Sequence, residues 1–265
     1  MKPILFPGLN ITVNINSVAF NILGKDIYWY GLIITFGMLF AIFLAKKDKN
    51  KYGISWDDIT SFLIYAIIFG FISARIYYVI FRWDYYSQNL SEIIKIWHGG
   101  IAIYGGIIGA LITGIVFCKK KNINFLTFCD FLAPYLSLAQ SIGRWGNFIN
   151  REAYGDVTNS ILRMGIYDNN LQDYIYVHPT FLYESIATLC IFILLINLKK
   201  NKKFDGQIFY LYMIFYGVAR FIIEGMRVDS LYLGNFRISQ VLALIFSIVF
   251  LICYILKERS CSKEN

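Results

Sequence analysis

Seven apolar stretches, at 27–45, 59–81, 101–118, 126–142, 181–198, 208–223 and 238–256, are each long enough to cross the roughly 30 Å of hydrocarbon in a bilayer. No soluble fold hides so many such stretches in so short a chain. Apolar residues make up 57% of the 265 positions and charged residues only 16%, too few to coat a water-facing surface. The aromatic share of 18% fits as well, because Tyr and Trp collect where a chain crosses the membrane–water boundary. The fold class expected is therefore an all-α integral membrane protein: one polytopic domain, 1–265, of seven transmembrane helices with a small external head between helices 4 and 5. The fourth stretch is the most polar, carrying Asp130 and Pro134.

Orientation follows from the basic residues. Lys46, Lys47, Lys49 and Lys51, then Lys119 to Lys121, then Lys199, Lys200, Lys202 and Lys203, then Lys257, Arg259 and Lys263 fall in alternate loops, which by the positive-inside rule face the cytoplasm. The N-terminus then lies outside and the C-terminus inside, in a cytoplasmic (inner) membrane. Residues 1–26 form an external arm and 147–178 the external head segment. Pro3, Pro7, Asn10, Asn14 and Asn16 interrupt the apolar core that a cleavable signal peptide needs, so the arm is expected to be retained. The net charge of +8 is mostly a topology signal and calls for no nucleic-acid partner. Five cysteines without C-x-x-C spacing and outside the external segments point away from disulfides and from a thiolate metal site.

Charges inside the spans are expensive, about 2.5–3.5 kcal/mol each at mid-membrane. Here Arg75, Arg144, Glu184, Arg220 and Glu224 all fall toward the external leaflet, and only Asp130 lies toward the cytoplasmic end. Paired helix-locking salt bridges account for any one of them. Five from four helices at one depth fit an anion site better, since the planar donor fork of Arg matches phosphate oxygens. At the outer headgroup level the obvious anion is a phospholipid.

The richest motif is Gly143-Arg144-Trp145-Gly146-Asn147-Phe148-Ile149-Asn150-Arg151-Glu152 at a helix exit, where glycines admit close approach and Arg144, Asn147, Asn150 and Glu152 supply donors and acceptors. His178-Pro179-Thr180-Phe181-Leu182-Tyr183-Glu184 reads equally as a structural turn and as a site element. Arg220, Glu224 and Arg227 share a helix face, consistent with an internal ion pair or with a second anion-facing cluster. Gly105 and Gly109 have the small-xxx-small spacing of close helix packing, which places Tyr104 at the outer rim; Tyr30 sits at the same level in the first span.

Taken together, Trp29-Tyr30-Gly31, Gly99-Gly100 to Gly105-Gly106, Asp130 to Pro134, Gly143-Arg144 to Glu152, His178-Pro179 with Leu182-Tyr183-Glu184, and Tyr216-Gly217 to Arg227 closely resemble the prolipoprotein diacylglyceryl transferase family over essentially the whole chain. The resemblance implies seven membrane helices with an external head. It also implies transfer of the sn-1,2-diacylglyceryl group of phosphatidylglycerol to the lipobox cysteine thiol in the signal peptide of a bacterial prolipoprotein, releasing glycerol phosphate. The positions it marks are Tyr30, Arg144, Asn147, Glu152, Tyr216, Arg220 and Glu224, with Arg144 and Arg220 foremost. The best-known members carry a histidine, proposed as base, where this chain has Tyr104.

On that reading the catalytic group comprises Arg144, Arg220, Tyr104, Glu224 and Glu152, and the substrate-binding group Tyr30, Asn147, Tyr216, Arg227 and Arg75. The two arginines stabilise the charge growing on the departing phosphate. Tyr104, with a reference pKa of about 10, is a poor base and is assigned as a hydrogen-bonding orienter. Glu224, Glu152 or the arginine field then promotes formation of the thiolate. No cofactor or metal is expected. A seven-helix small-solute transporter is the alternative; it predicts polar residues through the full depth of the spans, whereas these are biased outward.

Overall fold

In the computed structural model the described residues are 2–48, 52–234 and 236–264. Lys49 and Lys51, counted above among the cytoplasmic basic residues, lie outside them. Eight helices are described: α1 (Trp29–Ala45), α2 (Trp56–Phe81), α3 (Trp83–Tyr86), α4 (Ile103–Lys121), α5 (Phe125–Asn150), α6 (Thr180–Leu198), α7 (Gln207–Glu224) and α8 (Ile238–Glu264). Six of them, α2 and α4 to α8, are long and apolar enough to cross a membrane, while α1 is a shorter apolar helix. The chain divides into two compact units, residues 46–128 and residues 1–45 with 129–265.

In the smaller unit α2 starts at a capping box: the Ser55 hydroxyl accepts from the Asp58 amide at 3.0 Å while the Asp58 carboxylate accepts from the Ser55 amide at 3.3 Å. α2 and α4 then pack at backbone distance. A Cβ on Gly105 would lie 2.6 Å from the Ser73 carbonyl and 2.9 Å from the Ala74 Cα, and one on Gly109 would lie 2.5 Å from the Ser73 hydroxyl. Lipid tails are as apolar as the side chains, so contact of this kind, rather than the hydrophobic effect, holds such a pair together. The 82–100 connection is drawn in by Arg75, which donates to the carbonyls of Ile93 (2.9 Å), Gly99 (2.7 Å), Gly100 (2.6 Å), Glu92 (2.6 Å) and Lys95 (3.5 Å).

In the larger unit α5 and α6 are joined by small hydroxyls. Ser137 donates to the Thr188 carbonyl at 2.7 Å, and Ser141 and Ser185 donate to each other's carbonyls at 2.8 and 2.9 Å. The start of α7 is capped from α5. Asp130, fully buried, accepts from the amides of Gly206 (2.8 Å) and Phe209 (2.9 Å) and from Lys202 (3.1 Å). That satisfies donors a helix N-terminus cannot pair by itself. Burial opposes a charge on Lys202, but the Asp205 and Asp130 carboxylates outweigh it and raise the lysine above its ordinary range.

The spans are helical as expected, but the connecting segment is not. Strands β1 (Ile4–Phe6), β2 (Ile11–Val13), β5 (Met164–Asp168) and β6 (Asp173–Val177) form an antiparallel sheet in the order β2-β1-β5-β6. Two hairpins, β3 (Val18–Ile22) with β4 (Lys25–Tyr28) and β7 (Tyr232–Leu233) with β8 (Phe236–Arg237), are separate. Ile4, Phe6, Met164, Ile166 and Val177 of the sheet bury against Phe148 and Ile149 of α5 and Phe181 of α6. Residues 4–13 of the N-terminal arm and 164–177 of the 147–178 segment thus share one small sheet. α5 runs to Asn150, eight residues beyond the expected end at 142, because its last turns pack beneath that sheet.

Candidate functional site

Where α5, α6 and α7 meet, oppositely charged side chains form a continuous chain of contacts. Because α5 continues to Asn150, Arg144 and Asn147 lie on a helix three residues apart and share a face. Arg144 reaches Glu184 near the start of α6, Nη2 to Oε1 at 2.6 Å, and donates through Nη1 to the Asn147 Oδ1 at 3.3 Å. Asn147 donates to the Glu152 carboxylate at 2.8 Å. From the other side Arg220 of α7 donates to the second oxygen of Glu184 at 3.0 Å and pairs with Glu224 at 2.6 Å. The Tyr216 hydroxyl, one turn before Arg220, donates to Glu184 at 3.4 Å.

Glu184, only 3% exposed, is therefore the anion that holds both arginines. The sequence singled it out but left it equally a turn residue; the signal was there, since two guanidiniums on apolar helices call for a counter-charge. Glu224 is also buried, and accepts from the Ser230 hydroxyl at 2.9 Å. Arg227 lies 3.8 Å from Glu224 and grips Asp229 with two hydrogen bonds of 2.9 and 2.8 Å. Burial raises Asp229, yet the Arg227 hydrogen bond and charge outweigh it and leave that carboxyl below the usual range.

Local backbone explains how Glu152 meets this group. Arg151 and Ala153, on either side of it, both take left-handed φ values of 57°. Non-glycine residues adopt that region at a cost and persist there only where the surroundings fix them. The fixing contacts are the Thr180 hydroxyl on the Ala153 carbonyl, the Gly155 amide on the His178 carbonyl (2.9 Å) and the Asp156 amide on the Met226 carbonyl (2.8 Å). A Cβ on Gly155 would sit 2.8 Å from the His178 Cβ and 2.9 Å from the Met226 carbonyl, so three chain segments cross where only glycine fits. Gly146 likewise faces the Tyr30 ring, 2.8 Å from where its Cβ would be.

Of the residues expected to act, Arg144, Asn147, Glu152, Tyr216, Arg220, Glu224 and Arg227 are thus brought into one network, with Tyr30 packed against the same helix. Arg75 and Tyr104 belong to the smaller unit. Arg75, expected to contact an anionic headgroup, instead directs its donors at backbone carbonyls of the 82–100 connection, where consecutive tight turns leave carbonyls in need of partners. Tyr104 is the second residue of α4 and is more than a third exposed. Among the described residues no group of three or more His, Cys, Asp or Glu side chains is placed to hold a metal ion.

The family model for prolipoprotein diacylglyceryl transferase matches residues 17–256. A phosphatidylglycerol–prolipoprotein diacylglyceryl transferase of Finegoldia magna is 49% identical over 251 residues, covering 94% of this chain and 99% of the relative. Proteins of the same name are 49% identical over 230 residues in Clostridioides difficile, covering 87% of this chain and 90% of the relative, and 46% identical over 245 residues in Staphylococcus aureus, covering 89% and 86%. With matches of this extent, the chain belongs to the prolipoprotein diacylglyceryl transferase family.

Proposed function

We propose that this multi-pass membrane protein transfers the diacylglyceryl group of phosphatidylglycerol to the lipobox cysteine thiol of a prolipoprotein. The observation that carries the proposal is the Arg144–Glu184–Arg220–Glu224 cluster, in a chain whose relatives are named for this reaction. In the reaction the thiolate sulfur attacks the glycerol carbon that bears the phosphate. A C–S bond forms, the C–O bond breaks, and its electron pair leaves on the phosphate oxygen. Glycerol phosphate departs with one more negative charge than the diester carried. Arg144 and Arg220 hold the phosphate and stabilise that charge in a site of low dielectric. Tyr30, Asn147, Tyr216 and Arg227 position the lipid. Arg75 acts at one remove, by shaping the 82–100 connection.

A free thiol near pKa 8.5 is mostly protonated at neutral pH. The field of the arginines lowers that barrier, and Glu152 or Glu224 accepts the proton. Tyr104 orients the reactants through its hydroxyl. α1 makes the seventh crossing, since its 17 residues lie at the lower end of the spanning range. The N-terminus and the sheet lie outside the cytoplasmic membrane and the C-terminus inside, as the lysine-rich loops require. The charge of the chain serves this topology, with no nucleic-acid partner.

The decisive experiment supplies purified protein in phosphatidylglycerol vesicles with a lipobox peptide and detects the diacylglyceryl thioether by mass spectrometry. Product should form, and Arg144→Ala should abolish it while the protein stays folded. No product, or product indifferent to the substitution, overturns the proposal. Comparing Tyr104→Phe with Tyr104→His across pH tests the minor assignment, and full activity of the Phe variant removes the hydroxyl from the mechanism.

A further inference from the structure

Exposed apolar side chains on α2, α4 and α8 are what membrane-crossing helices present to lipid. The β3–β4 hairpin lies outside the spans and still carries such residues. Its two-residue turn is Leu23-Gly24, closing on the pair Ile22 and Lys25, and both turn residues have positive φ, 51° and 79°. This is the tight hairpin turn in which Asn, Asp or Gly normally occupies the first position. Here the position is held by a leucine, strained in its backbone and 98% exposed at the tip.

Leu23 has company. Ile22 is 52% exposed and Phe20, on the same strand face two residues back, is 48% exposed. The turn is also fixed in place: the Asn21 side chain accepts from the Gly24 amide at 3.0 Å and donates to Asp26 at 2.8 Å. A fold that strains its backbone to hold a leucine in solvent gains nothing within its own chain.

We propose that this hairpin is an apolar finger that inserts its tip into the surface of the bilayer. The occupant is lipid, and the choice rests on continuity. β4 ends at Tyr28 and α1 begins at Trp29 with no intervening linker, so the finger springs from an aromatic pair of the kind that sits at headgroup level. The tip is five residues from Tyr28, about 16 Å of extended chain, within reach of the interface to which that junction belongs. Lys25, exposed beside the tip, suits anionic lipid phosphates while the apolar residues enter below them. The inference rests on membrane embedding, not on the transfer reaction.

The test places a diazirine analogue of leucine, close to isosteric, at position 23 of the full chain reconstituted in vesicles of phosphatidylglycerol and phosphatidylethanolamine. Irradiation followed by peptide mass spectrometry should give lipid adducts at position 23 at least fivefold above those from the same probe at Asn169, an exposed residue between β5 and β6. Water insertion at the level of position 169, or adducts only with a peptide or a second copy, overturns the proposal. Leu23→Asn separates the finger from fold effects, because Asn tolerates the left-handed backbone. It should keep or raise the melting temperature and lose at least threefold of the bilayer-dependent amide protection across residues 18–28. Unchanged protection likewise overturns it.

Discussion

Replacing Glu184 by glutamine tests whether the arginine pair is held by one buried anion. The carboxylate gives one oxygen to Arg144 at 2.6 Å and the other to Arg220 at 3.0 Å. An amide keeps the shape but offers a single acceptor, and its NH2 group faces whichever guanidinium the oxygen does not. One charge-assisted contact is lost outright, about 1.5–3 kcal/mol, and the other falls to roughly half strength with a neutral acceptor. The sum is about 3 kcal/mol. If those contacts align the guanidiniums on the departing phosphate, thioether formation slows by about two orders of magnitude, since roughly 1.4 kcal/mol corresponds to a factor of ten. The assay is single-turnover thioether formation in phosphatidylglycerol vesicles, with thermal unfolding measured in parallel. Glu184→Asp keeps the charge but is too short to bridge both partners, so its rate should fall between the two. A Glu184→Gln enzyme that remains folded and works within threefold of the parent rate refutes the reasoning.

Gly105→Ala drives a methyl group into the Ser73 carbonyl and the Ala74 Cα, and should destabilise the α2–α4 pair by about 1–3 kcal/mol in thermal unfolding. Asp130→Asn turns an NH2 group toward one of the α7 amides and strips Lys202 of a counter-charge; stability should fall by about 2–4 kcal/mol, read from the melting curve in detergent. Arg75→Lys replaces a fork of donors with a single ammonium, and should open the 82–100 connection to limited proteolysis in intact protein. Hydrogen bonds from Lys95 and then His98 hold the Glu92 carboxyl below the usual carboxylate range. Its stabilising effect is thus present above the unfolded carboxylate pKa and is lost as pH falls through the lower folded value. Hydrogen-exchange protection of residues 90–98, with rates corrected for the intrinsic pH dependence of exchange, should fall once the pH drops below the folded pKa of Glu92 and stay constant in Glu92→Gln.

The spans were readable because lipid demands it: a helix among hydrocarbon tails has to be apolar for its full length, and a run such as 238–256 admits no other reading. Where α5 ends was not readable. Arg144 and Asn147 resemble a helix exit in isolation, and their place inside the helix becomes clear only once Glu184 neutralises the one and Phe148 and Ile149 are seen beneath a sheet. That sheet left almost no local signal, since β1 and β2 are three residues each and β1 pairs with β5 some 160 positions away. Asp130 was conspicuous, but two of its three described partners are backbone amides, which look the same in every sequence.

Charge balance joins these points to the chemistry. Arg144, Arg220 and Arg227 pair with Glu184, Glu224 and Asp229, and Glu152 joins them through Asn147. A set of guanidiniums at lipid level without those carboxylates would carry a heavy desolvation penalty. The carboxylates therefore let the arginines reside there and, on the proposed function, fix their direction before a substrate phosphate arrives. Alignment set in advance requires little rearrangement when the phosphodiester becomes a monoester and gains its second charge, and stabilisation that grows with that charge accelerates bond breaking more than it tightens binding. By this argument Glu184 matters more to the rate than to lipid affinity. On the proposed function, the Arg144–Glu184–Arg220 bridge is the feature that turns an anion site into one able to drive transfer.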